Sequence, residues 1–441
     1  MIRNFQLWEL AIKKLGIANL TEMQSKSLEA IRNHTDIILL SPTGSGKTLA
    51  FLLPILESLQ KNIKAIQVII ITPSRELAQQ IELVFRNMGT DFKVNSCYGG
   101  HSIKTEKNNF ISPPAILIGT PGRLADHIRS QNFLINSIHT LILDEFDKSL
   151  EFGFTQEMSF IISSLKSIKK RILCSATDLV EIPGFTCIES PYKINYLLFN
   201  NQSNNLTINI VKSLNNDKLD CLYHLLCNLG VTTILIFCNH RDSVERISKH
   251  LNKSGIINDY FHGGLEQSER ERILIRFRNG SSNILITTDL ASRGLDIPDI
   301  STIIHYQVPA TETSFIHRNG RTARMNSTGS SFLILAEGET FPAFISSGYK
   351  NFELTKGMEI PEKPRWQTLY IGGGKKEKIN KMDIAGFLLK QGGLSKDELG
   401  YIEVKDHNSY AAIRRERIRA VLNNVSNKKI KNRKVKIGIS Y

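Results

Sequence analysis

Short runs of aliphatic and β-branched residues recur along this chain, each bounded by turn formers. Five lie in the first part: DIILLS (36–41), QVIIIT (67–72), AILIGT (115–120), TLILDE (140–145) and RILCSAT (171–177). Four more follow: TILIFC (233–238), NILITT (283–288), TIIHYQ (302–307) and SFLILA (331–336). Strands this evenly apolar must be covered on both faces, and the stretches between them have amphipathic helical spacing. The pattern predicts an α/β fold with parallel sheets and helices on both faces. It weakens at NNQSNN (200–205), which predicts a linker between two α/β domains, 1–200 and 206–355. A third segment follows IPEKPRW (360–366) and predicts a small α+β module over 364–441. There TLYIGGGKKEKI (368–379) predicts a strand entering a basic, Gly-rich turn, and YIEVKD (401–406) another strand. IAGFLL (384–389) and YAAIRRERIRAVL (410–422) have helical spacing.

Charge is unevenly placed. The chain of 441 residues carries a formal +14, of which residues 361–441 supply +11. A basic excess in the last fifth points to a polyanion partner. No apolar run reaches the ~18 residues of a membrane span, and Glu9, Lys13 and Lys14 interrupt the N-terminal segment, so a cytoplasmic protein is expected. The six cysteines form no CxxC pair; Cys174 and Cys238 lie in apolar runs and are expected to be buried.

DIILLSPTGSGKT (36–48) is a strand, a Gly-rich loop and the start of a helix. Thr43, Gly44, Ser45 and Gly46 form a phosphate cradle of backbone N–H groups. Lys47 suits the β- and γ-phosphates of a nucleotide, and the Thr48 hydroxyl suits Mg²⁺. Ser41 stands where the general P-loop pattern has Gly. A P-loop needs a carboxylate at the end of another core strand. TLILDEFD supplies Asp144 for the metal and Glu145 to orient or deprotonate the attacking water.

Further blocks occur in a fixed order: Gln24 in GIANLTEMQ, PSREL (73–77), Gly99-Gly100, TPGRL (120–124), DEFD (144–147), SAT (175–177), LIFCNH (235–240), Gln267 with Arg270, TTDLASRGLDIP (287–298) and IHRNGRTAR (316–324). With these blocks, residues 1–350 resemble a DEAD-box RNA helicase. The resemblance implies two RecA-like domains with ATP and Mg²⁺ bound between them. It assigns Gln24 to adenine and Asp296 to ribose, and makes Arg321 and Arg324 arginine fingers, a device worth about 10³–10⁵ in rate. Asp147, Ser175, Thr177, His317 and Arg318 would couple the ATP state to RNA. Arg75, Gly99, Gly100, Thr120, Arg123, Gln267, Arg270 and Thr288 would hold the RNA backbone. Phe146 replaces the Ala of the DEAD box, Leu20 stands where the Gln block usually has Pro, and Asn319 and Ala323 alter the last block. Phe5 and Trp8 are candidates for stacking on adenine, with core packing as the alternative.

The C-terminal segment resembles the RRM-like RNA-binding domain of DbpA-type helicases. TLYIGGGKKEKI matches its first strand and turn, MDIAGFLL its first helix, GYIEVKDHNSYAAI its second and third strands, and IKNRKVKIGIS its last strand. Tyr370 and Tyr410 either stack bases or pack. Lys375, Lys376, Lys378, Arg414, Arg415 and Lys434 are candidate RNA contacts. The resemblance implies a helicase that remodels 23S rRNA near the peptidyl-transferase-centre hairpin, in large-subunit precursors. A general RNA helicase, or an ATP-gated RNA clamp weakened in catalysis by Phe146, is the alternative.

Overall fold

The computed structural model describes residues 7–441 apart from 43, 101–102, 179–180, 198–205, 290–299, 323–327, 346–347, 356 and 427. The expected linker at 200–205 lies outside the described residues. The chain divides into two compact units, the second of which contains both the second α/β sheet and the C-terminal module.

In the first unit the strands are β1 (Asp36–Leu40), β2 (Val68–Ile71), β3 (Val94–Cys97), β4 (Ile116–Gly119), β5 (Thr140–Leu143), β6 (Lys170–Ser175) and β7 (Tyr192–Asn195). They form one parallel sheet in the order β3-β4-β2-β5-β6-β1-β7. The helices are α1 (Leu7–Lys14), α2 (Glu22–Asn33), α3 (Lys47–Ser58), α4 (Arg75–Asn87), α5 (Ile103–Phe110), α6 (Pro121–Arg129), α7 (Phe146–Glu151) and α8 (Thr155–Ser164). Two apolar cores lie against the sheet. One gathers Ile37, Leu39, Val68 and Ile70, the other Ile38, Leu40, Ile69 and Ile71. Alternate residues of one strand thus feed opposite cores, the physical reason the strands carry no polar face.

The second unit repeats this plan with β8 (Leu206–Ser213), β9 (Ile234–Cys238), β10 (Asp259–Phe261), β11 (Ile284–Thr288), β12 (Thr302–His305), β13 (Gly329–Ala336) and β14 (Tyr349–Asn351). Their order, β10-β11-β9-β12-β13-β8-β14, is that of the first sheet strand for strand. Among its helices are α9 (Leu219–Leu229), α10 (Arg241–Lys253), α11 (Gln267–Arg278) and α12 (Glu312–Asn319). The nine apolar runs of the sequence all became strands. The strands without such a run, among them VNSC and DYF, are short or polar and lack that signal.

The C-terminal module has β15 (Trp366–Ile371), α13 (Lys381–Lys390), β16 (Leu399–Val404), β17 (Ser409–Arg414), α14 (Ile418–Val425), the small hairpin β18 (Lys429–Ile430) and β19 (Arg433–Lys434), and β20 (Ile437–Ile439). Its main sheet is antiparallel in the order β16-β17-β15-β20. The helical spacing of 410–422 holds only for its second half; Tyr410–Arg414 is a strand. The reason is burial of both faces. Ala411 and Ile413 enter the module's core, while Tyr410 and Ala412, on the other face, are buried too.

That other face meets the second α/β domain. The Asn279 amide donates to Thr368 Oγ1 at 3.1 Å, and the Ser281 and Thr368 hydroxyls share a 2.6 Å bond. Trp366 packs on Gly280, where a Cβ would lie 3.4 Å from the indole, an ordinary contact, so it is the φ of +67° that favours glycine there. Arg278 pairs with Glu403 at 3.4 Å, and Arg415 donates to the Ser281 and Trp366 carbonyls, both at 2.9 Å.

Candidate functional site

The sequence blocks of the first unit converge on the carboxyl ends of its strands, where ligands of open α/β sheets bind. From β1 the chain enters the P-loop. Gly46 has φ +90°, and a Cβ there would lie 2.5 Å from Gln24 Nε2. Gln24 closes a capping box with Thr21 at the start of α2 and donates to the Gly46 carbonyl at 3.3 Å. Its second amide hydrogen remains for a base. Ser41, the departure from Gly, is useful: its hydroxyl donates to Ser45 Oγ at 2.7 Å and so pins the loop. Lys47 Nζ donates to the carbonyls of Ser41 and Pro42, the latter at 3.0 Å. Thr48 follows in the first turn of α3, while Thr43 lies outside the described residues.

Two strands away, β5 delivers Asp144 and Glu145. Asp144 is buried, and burial, reinforced by the Glu145 charge, pushes its carboxyl up to about 7 although Lys47 opposes this. Glu145 is held in the left-handed region at φ 47°, ψ 50°, a conformation costing about 1–3 kcal/mol and typical of functional sites. Its Oε2 is buried without a hydrogen-bond partner among the described residues. A buried, unpaired carboxylate oxygen beside a second carboxylate and a lysine suits a hydrated divalent cation. Asp147 accepts from Thr177 Oγ1 at 3.0 Å, and Ser175 Oγ donates to the Thr177 carbonyl at 2.6 Å. The coupling bond therefore forms with Phe146 in place: the ring is fully buried among core residues and tilts against Phe185.

The RNA candidates of this unit cluster at the ends of the adjacent strands β2, β3 and β4. Arg75 lies against Gly99, 3.1 Å from where its Cβ would be. Gly100 has φ +95°. Thr120 caps α6, and Arg123 pairs with Glu106 at 3.4 Å. Trp8 packs against the core, and Leu20 does the same; Phe5 lies outside the described residues.

In the second unit Arg318 is the best-held cation. Asp289 takes it through two 2.6 Å bonds, Asn239 Oδ1 accepts at 2.7 Å, the Gln307 carbonyl accepts at 2.9 Å, and Phe237 lies under it. Sequence reasoning did not single out Asp289 or Asn239, though both lie within quoted blocks. The Asn319 departure is also explained: its carbonyl accepts from Ser331 Oγ at 2.8 Å and lies 3.1 Å from buried His305 Nε2. His317 and Arg321 are buried. Gln267 opens α11, Arg270 sits over the Phe261 ring, and Thr288 ends β11. Asp296, Ala323 and Arg324 lie outside the described residues.

In the C-terminal module Lys375, Lys376 and Lys378 are exposed on the Gly-rich turn, where Lys376 meets His407 at 3.2 Å; Lys434 is exposed too. Arg414 covers the Trp366 ring. Arg415 lies at the seam with the second α/β domain, where its Nε and Nη2 donate to three backbone carbonyls. Tyr410 is buried and meets Tyr370 edge-on at 5.7 Å; it packs.

Two like-ordered parallel sheets, one carrying a P-loop and a paired-carboxylate strand end, define a tandem RecA-type nucleoside triphosphatase. Comparison specifies it. The DEAD/DEAH box helicase family matches residues 21–179, the helicase conserved C-terminal domain 217–326, and the DbpA RNA binding domain 368–439. The ATP-dependent RNA helicase DbpA of Bacillus subtilis (strain 168) is 29% identical over 461 aligned residues, spanning 97% of this chain and 96% of that protein. The ATP-dependent RNA helicase CshA of Limosilactobacillus reuteri is 32% identical, spanning 80% and 71%. The structure of S. cerevisiae Dbp5 bound to RNA and ADP BeF3 superposes with a TM-score of 0.67 at 25% identity, over 75% of this chain and 88% of that one. The chain belongs to the DEAD-box ATP-dependent RNA helicases, enzymes that hydrolyse ATP and unwind RNA, and carries the C-terminal domain of the DbpA type. Among the described residues no helix is long and apolar enough to cross a membrane.

Proposed function

We propose that this helicase remodels 23S rRNA near the peptidyl-transferase-centre hairpin of large-subunit precursors, in the cytoplasm. The observation that carries this reading is the DbpA-type domain over 368–439, coinciding with the segment that holds +11 of the chain's +14 charge. Residues 1–200 and 206–355 form the motor, and 364–441 selects the RNA.

In this reading the backbone of Thr43–Gly46 and the Lys47 ammonium hold the triphosphate, and Gln24 offers its remaining amide hydrogen to adenine. Thr48 and Asp144 would hold Mg²⁺, which would supply positive charge to the triphosphate. Glu145, whose Oε2 has no hydrogen-bond partner among the described residues, positions the attacking water and accepts its proton. Asp296 holds the ribose, and Arg321 and Arg324 offset charge developing on the γ-phosphate. Arg318, clamped by Asp289, keeps the block that carries them in register, with His317 beside it. The Asp147–Thr177 bond and Ser175 transmit the nucleotide state to the RNA loops. Arg75, Gly99, Gly100, Thr120, Arg123, Gln267, Arg270 and Thr288 hold the RNA backbone without reading bases. Lys375, Lys376, Lys378, Arg414, Arg415 and Lys434 anchor the hairpin electrostatically.

The test is ATPase stimulation by an rRNA fragment carrying that hairpin against random RNA of equal length. A clear preference for the fragment is expected. Equal stimulation by both would leave a general RNA helicase.

A further inference from the structure

Glu106 is a buried carboxylate that no nucleotide or RNA role absorbs. It lies on α5, 4% exposed, and its two oxygens reach two of the three first-unit strand ends that carry RNA candidates. Oε1 accepts the Tyr98 N–H at 3.2 Å, the amide just before Gly99-Gly100 at the end of β3. Oε2 lies 2.8 Å from His127 Nε2 and 3.4 Å from Arg123 Nη1, both on α6 after β4. The Asn132 amide meets His127 Nδ1 at 2.9 Å. Asn132, His127 and Glu106 thus form one chain of polar contacts. The charge of Glu106 is balanced by Arg123. Phe110 closes the site edge-on to the His127 ring, excluding water.

A carboxylate this buried is tolerable only when paired and hydrogen-bonded. It cannot keep its partners unless the turn before Gly99 and the Arg123 side chain hold one spacing. We propose that Glu106 is a positioning residue for RNA binding: it locks the Gly99-Gly100 turn and Arg123 in the arrangement that engages the RNA backbone, so the order is built before RNA arrives. This rests on the reading that Arg123 contacts RNA.

The test uses the full chain with Glu106→Gln, Arg123→Ala and the double variant. Glu106→Gln keeps the volume and an acceptor for Tyr98 but removes the charge facing Arg123. RNA half-saturation of the ATPase should rise roughly 10- to 100-fold on loss of this buried ion pair. kcat at saturating RNA and RNA-free nucleotide affinity should stay within about twofold. On the Arg123→Ala background the same change should add no more than about twofold, because its route is already cut. Half-saturation unchanged in Glu106→Gln but raised in Arg123→Ala overturns the role of Glu106. Fully multiplying effects in the double variant, or kcat, nucleotide affinity and melting temperature falling together, overturn it as well. Unchanged half-saturation in Arg123→Ala overturns the RNA reading itself.

Discussion

Phe146 shows how one residue divides stability from chemistry. Its ring is fully buried in the core beneath the sheet, while the carboxylates on either side face the site. Phe146→Ala should destabilise the first unit by about 3–5 kcal/mol, the usual cost of emptying a buried Phe site. Turnover per folded molecule should change less than about tenfold. Urea unfolding and active-site-normalised ATPase rates separate the two. Glu145→Gln should do the reverse, sparing stability and trapping ATP with RNA; wild-type hydrolysis in that variant would remove Glu145 as the base. His305 makes a pH prediction. Burial, then the Arg318 charge, pushes its imidazole down from 6.5 to about 3. Below pH 6.5 the unfolded chain binds a proton that the folded chain refuses, so this stability is lost as pH falls from about 6.5 towards 3. At pH 5 the loss is about 2 kcal/mol. In His305→Asn the drop in stability between pH 7 and 5 should be smaller by that amount, measured by urea unfolding.

At the scale of elements, the face of β15 and β17 was open to two readings, and the packing decides. Thr368, Trp366 and Tyr410 face the end of α11 and the 279–281 turn. Replacing Asn279 and Ser281 together by Ala leaves the Thr368 hydroxyl buried without those partners, at a cost of about 1–3 kcal/mol. Amide hydrogen exchange in β15 and β17 should quicken while nucleotide binding by the motor holds. Unaltered exchange would mean that the seam does not contribute. The seam left no trace in the sequence because Asn, Gly, Ser and Thr read there as an ordinary turn. β17 looked helical for a related reason: when both faces of a strand are covered, its alternation disappears.

For the whole molecule, charge and architecture separate motor from address. Deleting 361–441 removes +11 of the +14 charge and leaves both α/β sheets complete. The truncated chain should keep an RNA-stimulated ATPase at high RNA, lose preference for the rRNA fragment, and show a shallower dependence of RNA affinity on salt. A preference that survives truncation would place recognition in the motor.

What the amino-acid sequence determined alone is whatever short-range pattern can encode. Nine apolar runs became strands, a Gly-rich stretch after the first became a phosphate loop, and the ordered blocks marked the strand ends. What only the tertiary structure decided depends on partners far away in the chain. Asp144 has its raised pKa because the packed sheet buries it beside the Glu145 charge, against the opposing charge of Lys47. Arg318 is held by residues just after β9, β11 and β12, 79, 29 and 11 positions away. Arg415, an RNA candidate by charge, also ties the C-terminal module to the second α/β domain through three distant backbone carbonyls. Side-chain chemistry is local, but desolvation and hydrogen-bond satisfaction belong to the packed molecule, and they settle which charged groups meet a ligand and which hold the fold.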